Sequence, residues 1–161
     1  MTEIERLAHK AKGNCCGECS HCSKCTEYKT VEIVFNDESN KVKLTERGWA
    51  GHYIASRWCW FHRNTLIEYK DKKWIVSTIG RQWSDIENDF ITIGLGRYYE
   101  TFAYVATTTD CGYIDCDFKK QIKLESKWAI EDCDVDSEMR ANDMHDNIVK
   151  ELSKRIVQED V

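Results

Sequence analysis

From residue 30 onward, the spacing of the apolar residues changes near Asp136. Before that position, short runs rich in β-branched and aromatic residues alternate with clusters of turn-forming residues. This pattern predicts three β-hairpins, at residues 30–44, 65–79 and 97–124. After it, apolar residues recur at every fourth position, as an amphipathic helix requires: Met144, Ile148, Leu152 and Ile156. A series of hairpins followed by one helix predicts an α+β fold, in which an antiparallel sheet packs against the C-terminal helix.

The third hairpin has the clearest pattern. Its second strand places apolar residues at positions of one parity: Ile114, Cys116, Phe118, Ile122 and Leu124. The positions between them carry charged or amide side chains. Because neighbouring side chains of a strand point to opposite faces of a sheet, we expect the apolar set to face the core and the polar set to face water.

Five of the nine cysteines lie within residues 14–25. Four of them recur at every third position and form two C-x2-C units: Cys16, Cys19, Cys22 and Cys25. C-x2-C is the half-site from which tetrahedral zinc centres are built, so we expect these thiolates to bind zinc. An iron–sulfur cluster is the alternative, and a thiol-rich segment that binds no specific metal is the third interpretation. Cys15, His21 or Cys59 could replace one of the four ligands.

Metal analysis of the protein, purified without added metal, tests this site. We expect zinc to be present in a near-stoichiometric amount, because thiolate sites of this kind bind Zn²⁺ strongly at neutral pH. Iron in place of zinc would support the cluster. Less than about a third of an equivalent of either metal would contradict both metal interpretations.

We expect the chain to divide into two parts. Residues 1–29 would form a short helix and the metal-binding segment, and residues 30–161 would form a single α+β domain. The longest apolar runs are too short to cross a bilayer, and the N-terminal residues lack the continuous apolar stretch of a secretory signal. These features predict a cytoplasmic protein with no membrane partner, in a compartment where thiols stay reduced.

The net charge of -5 is unevenly distributed. Residues 125–161 contain eleven acidic and five basic side chains, so they carry -6, whereas the residues before them carry +1. A general nucleic-acid binder would show a basic surface, which makes direct nucleic-acid binding the less favoured expectation. The distribution permits a partner that is itself basic, but a solvated helix face is the more common origin of such a pattern.

Residues 47–66 contain three Trp, two His and three Arg, the densest aromatic and cationic stretch of the chain. Trp and Arg together are typical of interface hot spots, and they also stack on nucleic-acid bases. We expect Trp58, Trp60 and Phe61 to fill the core. Three cationic or titratable residues of the stretch then remain as candidates for partner binding: Arg57, His62 and Arg63.

No segment matches the H-E-x-x-H, G-x-S-x-G or P-loop motifs, so the common hydrolase and NTPase signatures are missing. His52 and His62, with Cys59 between them, could hold a second metal, but a lone His near aromatic residues is more often part of a core. The two histidines and the pair Asp115 and Asp117 are the residues from which a small metal-dependent hydrolase would be built. This is the weakest functional hypothesis, because lysines continue the strand face that carries the two Asp residues.

Five blocks carry a resemblance: "RGWAGHYI" (47–54), "FHRNTL" (61–66), "GRYYETFAY" (96–104), "ESKWAI" (125–130) and "ANDMHD" (141–146). Together they resemble a family of small uncharacterised proteins encoded by phages and prophages of gut Firmicutes and related bacteria. The resemblance runs from about residue 45 to the C-terminal helix and leaves the cysteine segment outside it. Arg is commoner in that family at the position of His62. Since the family has no established activity, the resemblance implies a context and transfers no catalytic residues.

In a phage context, a small acidic protein without an enzymatic signature is expected to be an accessory factor that binds a bacterial macromolecule. An inhibitor of a nucleic-acid-binding defence protein, as anti-CRISPR proteins are, is one concrete form. Its acidic side chains would then occupy the positions of phosphates in a basic channel: Glu131, Asp132, Asp134, Asp136, Glu138, Asp143 and Asp146. The alternative is a zinc-stabilised nucleic-acid-binding or regulatory module that uses cationic side chains: Arg57, His62, Arg63 and the lysines of residues 70–73.

Overall fold

A computed structural model of the chain describes residues 29–34, 41–47, 52, 58–110 and 112–159. These residues form strands β1 (Lys29–Val34), β2 (Lys41–Glu46), β3 (Cys59–Tyr69), β4 (Lys72–Ser84), β5 (Asp89–Ile91), β6 (Tyr99–Thr108), β7 (Ile114–Ile122) and β8 (Ala129–Ile130), and helix α1 (Ser137–Glu159). The predicted N-terminal helix and the four proposed zinc ligands lie outside the described residues: Cys16, Cys19, Cys22 and Cys25. No helix in the described part of the chain combines the length and the apolar character needed to cross a membrane.

The strands form one antiparallel sheet in the order β1-β2-β3-β4-β6-β7, with β5 paired to the end of β4 and β8 paired to the start of β6. The pairs β1–β2, β3–β4 and β6–β7 are the three predicted hairpins, which are thereby confirmed. The hairpin of β3 and β4 is longer than predicted, since it extends to Cys59 at one end and to Ser84 at the other. The sequence pattern does not predict the two short strands β5 and β8.

Helix α1 packs on one face of the sheet, named the helix face, and buries the residues that recur at every fourth position: Met144, Ile148, Leu152 and Ile156. They form one core with apolar side chains of the central strands, among them Phe61, Trp74 and Tyr99. Complete burial of a single aliphatic side chain contributes about 1.5–3 kcal/mol, so this layer supplies much of the stability. The predicted α+β architecture, a sheet covered by the C-terminal helix, is confirmed.

The apolar residues of β7 do not share one buried face. The register between β6 and β7 shifts between Tyr104 and Ala106, where β7 carries extra residues. Ile122 therefore packs on the helix face, whereas Cys116 packs on the opposite face and Phe118 is 62% exposed. The expectation of a single apolar face is wrong, because a bulge interrupts the alternation of side chains along a strand.

The three aromatic residues predicted to fill the core have different environments. Phe61 is 7% exposed and belongs to the core of the helix face. Trp60 is half-buried, and its ring contacts the rings of Trp83 and Phe90. Trp58, immediately before β3, is 53% exposed. The prediction holds for Phe61 alone, because adjacent residues of a strand point to opposite faces of the sheet.

Candidate functional site

The predicted acidic residues all lie within residues 131–146. This segment comprises the loop after β8 and the first turns of α1, and it is named the acidic surface. It contains seven carboxylates and one Arg. Four of the carboxylates have a guanidinium partner: Asp132 and Asp134 with Arg140, Glu138 with Arg81, and Asp146 with Arg63. The hydrogen bond from Arg140 lowers the pKa of Asp132. Four of the seven carboxylates are therefore paired, but with only three positive charges, so the acidic surface keeps a net negative charge.

The other three carboxylates of the acidic surface are exposed, and none of them forms an ion pair with another described residue: Glu131, Asp136 and Asp143. Val135 and Met139 lie among them and are 97% and 60% exposed. The carbonyl oxygen of Asp136 accepts the hydrogen bond of the Arg140 amide (3.0 Å) at the start of α1, which fixes the position of Asp136. The acidic surface thus combines uncompensated carboxylates with exposed apolar side chains.

Arg63, a predicted partner-binding residue, connects the sheet to the helix. Its guanidinium pairs with Glu46 on β2 (3.1 Å) and with Asp146 on α1 (2.9 Å), and it donates to the side-chain oxygen of Asn142 (3.2 Å). Although burial alone would lower the pKa of Arg63, its hydrogen bonds and charge interactions with Glu46 and Asp146 raise it. Two of the predicted partner-binding residues, Arg63 and Asp146, therefore bind each other.

A chain of buried hydrogen bonds joins α1 to four strands. His145 has no solvent exposure, and its Nε2 and Nδ1 atoms lie 2.7 Å from Thr65 Oγ1 and 2.6 Å from Thr78 Oγ1. Thr65 Oγ1 donates to Glu46 (2.9 Å), and Thr78 Oγ1 lies 2.7 Å from Thr101 Oγ1. Burial lowers the pKa of His145 well below its ordinary value, so the ring is neutral at pH 7. The chain is suited to holding the helix in place rather than to proton transfer with a substrate.

A second surface lies where β4 continues beyond the main sheet to pair with β5. The rings of Trp60, Trp83 and Phe90, named the aromatic cluster, are half-exposed and pack with centroids 4.9, 5.2 and 5.6 Å apart. The Arg81 guanidinium lies 4.2 Å from the centroid of Phe90 and pairs with Glu138 (3.1 Å) on α1. Arg81 therefore contacts both the aromatic cluster and one carboxylate of the acidic surface.

The sequence pattern alone does not indicate His145, or the cluster residues Trp83 and Phe90, as members of the site. His145 follows Met144 in the helix, and only the folded chain shows that a buried threonine faces each nitrogen of its ring. Trp83 and Phe90 flank the turn-forming residues 84–89. That pattern, two aromatic residues around a polar turn, is the signal from which a fourth hairpin could have been predicted.

The residues proposed for a second metal site or a hydrolase do not form an assembled site. Within the described ranges, no three His, Cys, Asp or Glu side chains are grouped so that they could hold a metal ion. His52 Nε2 lies 3.5 Å from a carboxylate oxygen of Glu100, whereas Asp117 pairs with Lys120 (3.3 Å). His62 lies half-buried on β3. Arg57 lies outside the described residues.

The acidic surface and the adjoining aromatic cluster are therefore the candidate functional site. Both present side chains that bind cations, since carboxylates attract them and aromatic faces stack on them. Comparison of the chain with protein-family models, with curated proteins and with solved structures finds no match.

Proposed function

We propose that the protein is a phage-type accessory factor that uses its acidic surface to bind a basic region of a bacterial protein. The observation that supports this proposal is the exposure of Glu131, Asp136 and Asp143 without an ion pair to any other described residue. Such carboxylates create a negative potential, which attracts a basic partner and increases the association rate. A nucleic-acid-binding defence protein, inhibited as anti-CRISPR proteins inhibit their targets, is the partner class that we favour.

Two of these carboxylates lie at and near the start of the helix. Asp143 lies on α1, and Asp136 immediately precedes Ser137, the first residue of the helix; because the Asp136 carbonyl accepts from the Arg140 amide, the two backbones are held about 10 Å apart along the helix axis. Arg140 lies between them in the sequence, but Asp132 and Asp134 already bind its guanidinium. It is therefore not available to neutralise Asp136 or Asp143. Carboxylates held in a row in this way can take the places of phosphates in a nucleic-acid channel.

The double substitution Asp136→Lys and Asp143→Lys tests this proposal. We expect it to weaken binding of the basic partner at least about tenfold at low salt, mainly through a slower association rate, because two attractive charges become repulsive. The measurement is affinity capture from a bacterial lysate at about 50 and 300 mM NaCl, since exposed charges are screened at the higher salt concentration. Bound proteins are identified and quantified by mass spectrometry.

A matched control reverses two carboxylates at the other end of the sheet. Asp71 and Asp110 are exposed turn residues without an ion pair to another described residue, and their replacement by Lys changes the net charge by the same amount. Capture of the same protein by the wild type and by this control, but not by the double Asp136 and Asp143 variant, would support the proposal. Equal capture by all three proteins would contradict it. Retardation of single-stranded DNA in a gel at low salt would favour the nucleic-acid-binding alternative.

A further inference from the structure

The β4–β5 hairpin carries an exposed apolar and aromatic surface that the acidic surface does not explain. Trp83 and Phe90 face each other across the two strands, in direct register, and pack on Trp60. Ile86 at the tip of the turn is 97% exposed. Half-exposed aromatic rings beside an exposed aliphatic residue are typical of the anchor residues of protein interfaces.

The aromatic cluster already holds one cation in the free protein. The Arg81 guanidinium lies 4.2 Å from the Phe90 centroid and 5.9 Å from the Trp60 centroid, within the range of cation–π attraction. The backbone of Arg81 has a φ of 52°, a left-handed conformation that turns the strand at this residue. The ring of Trp83, the third member of the cluster, has no cation over it among the described residues.

A carboxylate lies at the edge of this third ring. The indole Nε1 of Trp83 donates to Asp85 Oδ1 (3.0 Å), so Asp85 is held beside the ring. The hairpin residues 82–91 contain three carboxylates and no Lys or Arg. Neither Asp85 nor the other two, Glu87 and Asp89, forms an ion pair with another described residue. A cation placed over Trp83 would therefore meet the negative face of the ring and a carboxylate at the same time.

We propose that Trp83 and Asp85 form a binding site for a lysine or arginine side chain of the basic partner. This inference rests on the proposed function and extends it, because it adds a side-chain site to the acidic surface. The negative charge of the hairpin carboxylates favours a cationic side chain as the occupant of this site. A second copy of the chain would bring carboxylates against carboxylates, and nucleic acid would bring phosphates against them, so both are repelled.

Titration with a peptide of arginine residues tests the site. The indole N–H signals of the tryptophans are followed by NMR, and we expect the Trp83 signal to shift while the signal of Trp128, which is 43% exposed elsewhere on the sheet, stays unchanged. We expect Trp83→Ala to weaken peptide binding roughly two- to fivefold, as loss of an exposed cation–π contact does. Asp85→Asn keeps the ring and removes one charge, so it should weaken binding to a similar extent. Trp128→Ala is the matched control and should bind as the wild type does.

The outcomes separate this inference from the proposed function. An unshifted Trp83 signal, with wild-type affinity in both hairpin variants, would overturn the inference. If the Asp136 and Asp143 charge reversal still weakened partner capture, the proposed function would stand without it. Weaker peptide binding in the hairpin variants, with partner capture unaffected by the charge reversal, would support the cation site and contradict the role of the acidic surface. The Asp85→Asn variant keeps the test valid if Trp83→Ala fails to fold.

Discussion

Replacing His145 by alanine is expected to lower the free energy of unfolding by about 3–5 kcal/mol. The substitution removes two buried hydrogen bonds, to the hydroxyls of Thr65 and Thr78, each of which keeps one other partner, and a hydrogen bond of this kind contributes about 0.5–1.5 kcal/mol. It also leaves a cavity at a position with no solvent exposure. Urea denaturation followed by tryptophan fluorescence measures the change.

The substitution Asn147→Ala is the matched control. Asn147 is exposed on the same helix, so its replacement by alanine leaves no buried group unsatisfied. We expect a change within about 0.5 kcal/mol for this variant. Equal losses of stability in the two variants would show that helix formation, rather than the buried hydrogen bonds, is being measured.

The pH dependence of stability gives a second readout of His145. Because Thr65 donates to the Glu46 carboxylate, it accepts the Nε2 proton of His145, and Nδ1 is left to accept from Thr78. Burial lowers the pKa of His145 in the folded state, so the unfolded state takes up the proton first as the pH falls. The free energy of unfolding should therefore decrease below about pH 6.5, by up to about 1.4 kcal/mol per pH unit, until the folded-state pKa is reached. This contribution is absent in the alanine variant.

Replacing Gly80 by alanine is expected to cost about 3 kcal/mol or more, the upper end of the range for overpacked cores. A Cβ atom at Gly80 would lie 2.1 Å from Cδ1 of Tyr99 and 2.8 Å from the backbone oxygen of Tyr98. The Tyr99 ring is fully buried, and its hydroxyl shares a hydrogen bond with Ser137 (3.1 Å), the first residue of α1. The ring therefore cannot move aside without displacing the start of the helix. Thermal denaturation followed by circular dichroism measures the loss.

Gly96→Ala separates steric overlap from the general effect of replacing a glycine. Gly96 has a φ of 74°, and a Cβ atom there would meet no other atom within 4 Å. Its replacement should cost about 1 kcal/mol, from backbone strain alone. A loss at Gly80 no larger than the loss at Gly96 would show that the sheet relaxes around the added methyl group.

The hairpins and the helix could be predicted because their signals are local. The turn-forming residues between the strands of residues 30–44 and 65–79, and the fourfold spacing around Ile148 and Leu152, are visible in windows of about fifteen residues. The extra residues of β7 are not visible in this way. Alternation of apolar and polar positions assumes an uninterrupted strand, and nothing in the sequence of β7 marks the place where the register with β6 shifts.

The candidate site could be predicted only in part, because its contacts join distant parts of the chain. Sequence reasoning selects Arg63 for its place in an aromatic and cationic stretch and Asp146 for its place in an acidic segment. That they bind each other depends on how α1 lies on the sheet. The same holds for Arg81, which contacts Phe90 and Glu138 at once. Composition predicts an acidic surface, but only the fold shows which of its charges are already balanced.

The buried hydrogen bonds of His145 also fix the position of α1 along its own axis relative to the sheet. Apolar contacts are not directional, so a helix held by aliphatic side chains alone can slide by a turn at moderate cost. Both ring nitrogens of His145 must lie within hydrogen-bond distance of a threonine hydroxyl, Thr65 for one and Thr78 for the other. Only one axial position of the helix satisfies both bonds. The distance between Asp143 on the helix and Trp83 on the hairpin is consequently fixed. A partner that binds both elements must therefore present its cations at a spacing that matches the distance between Asp143 and Trp83.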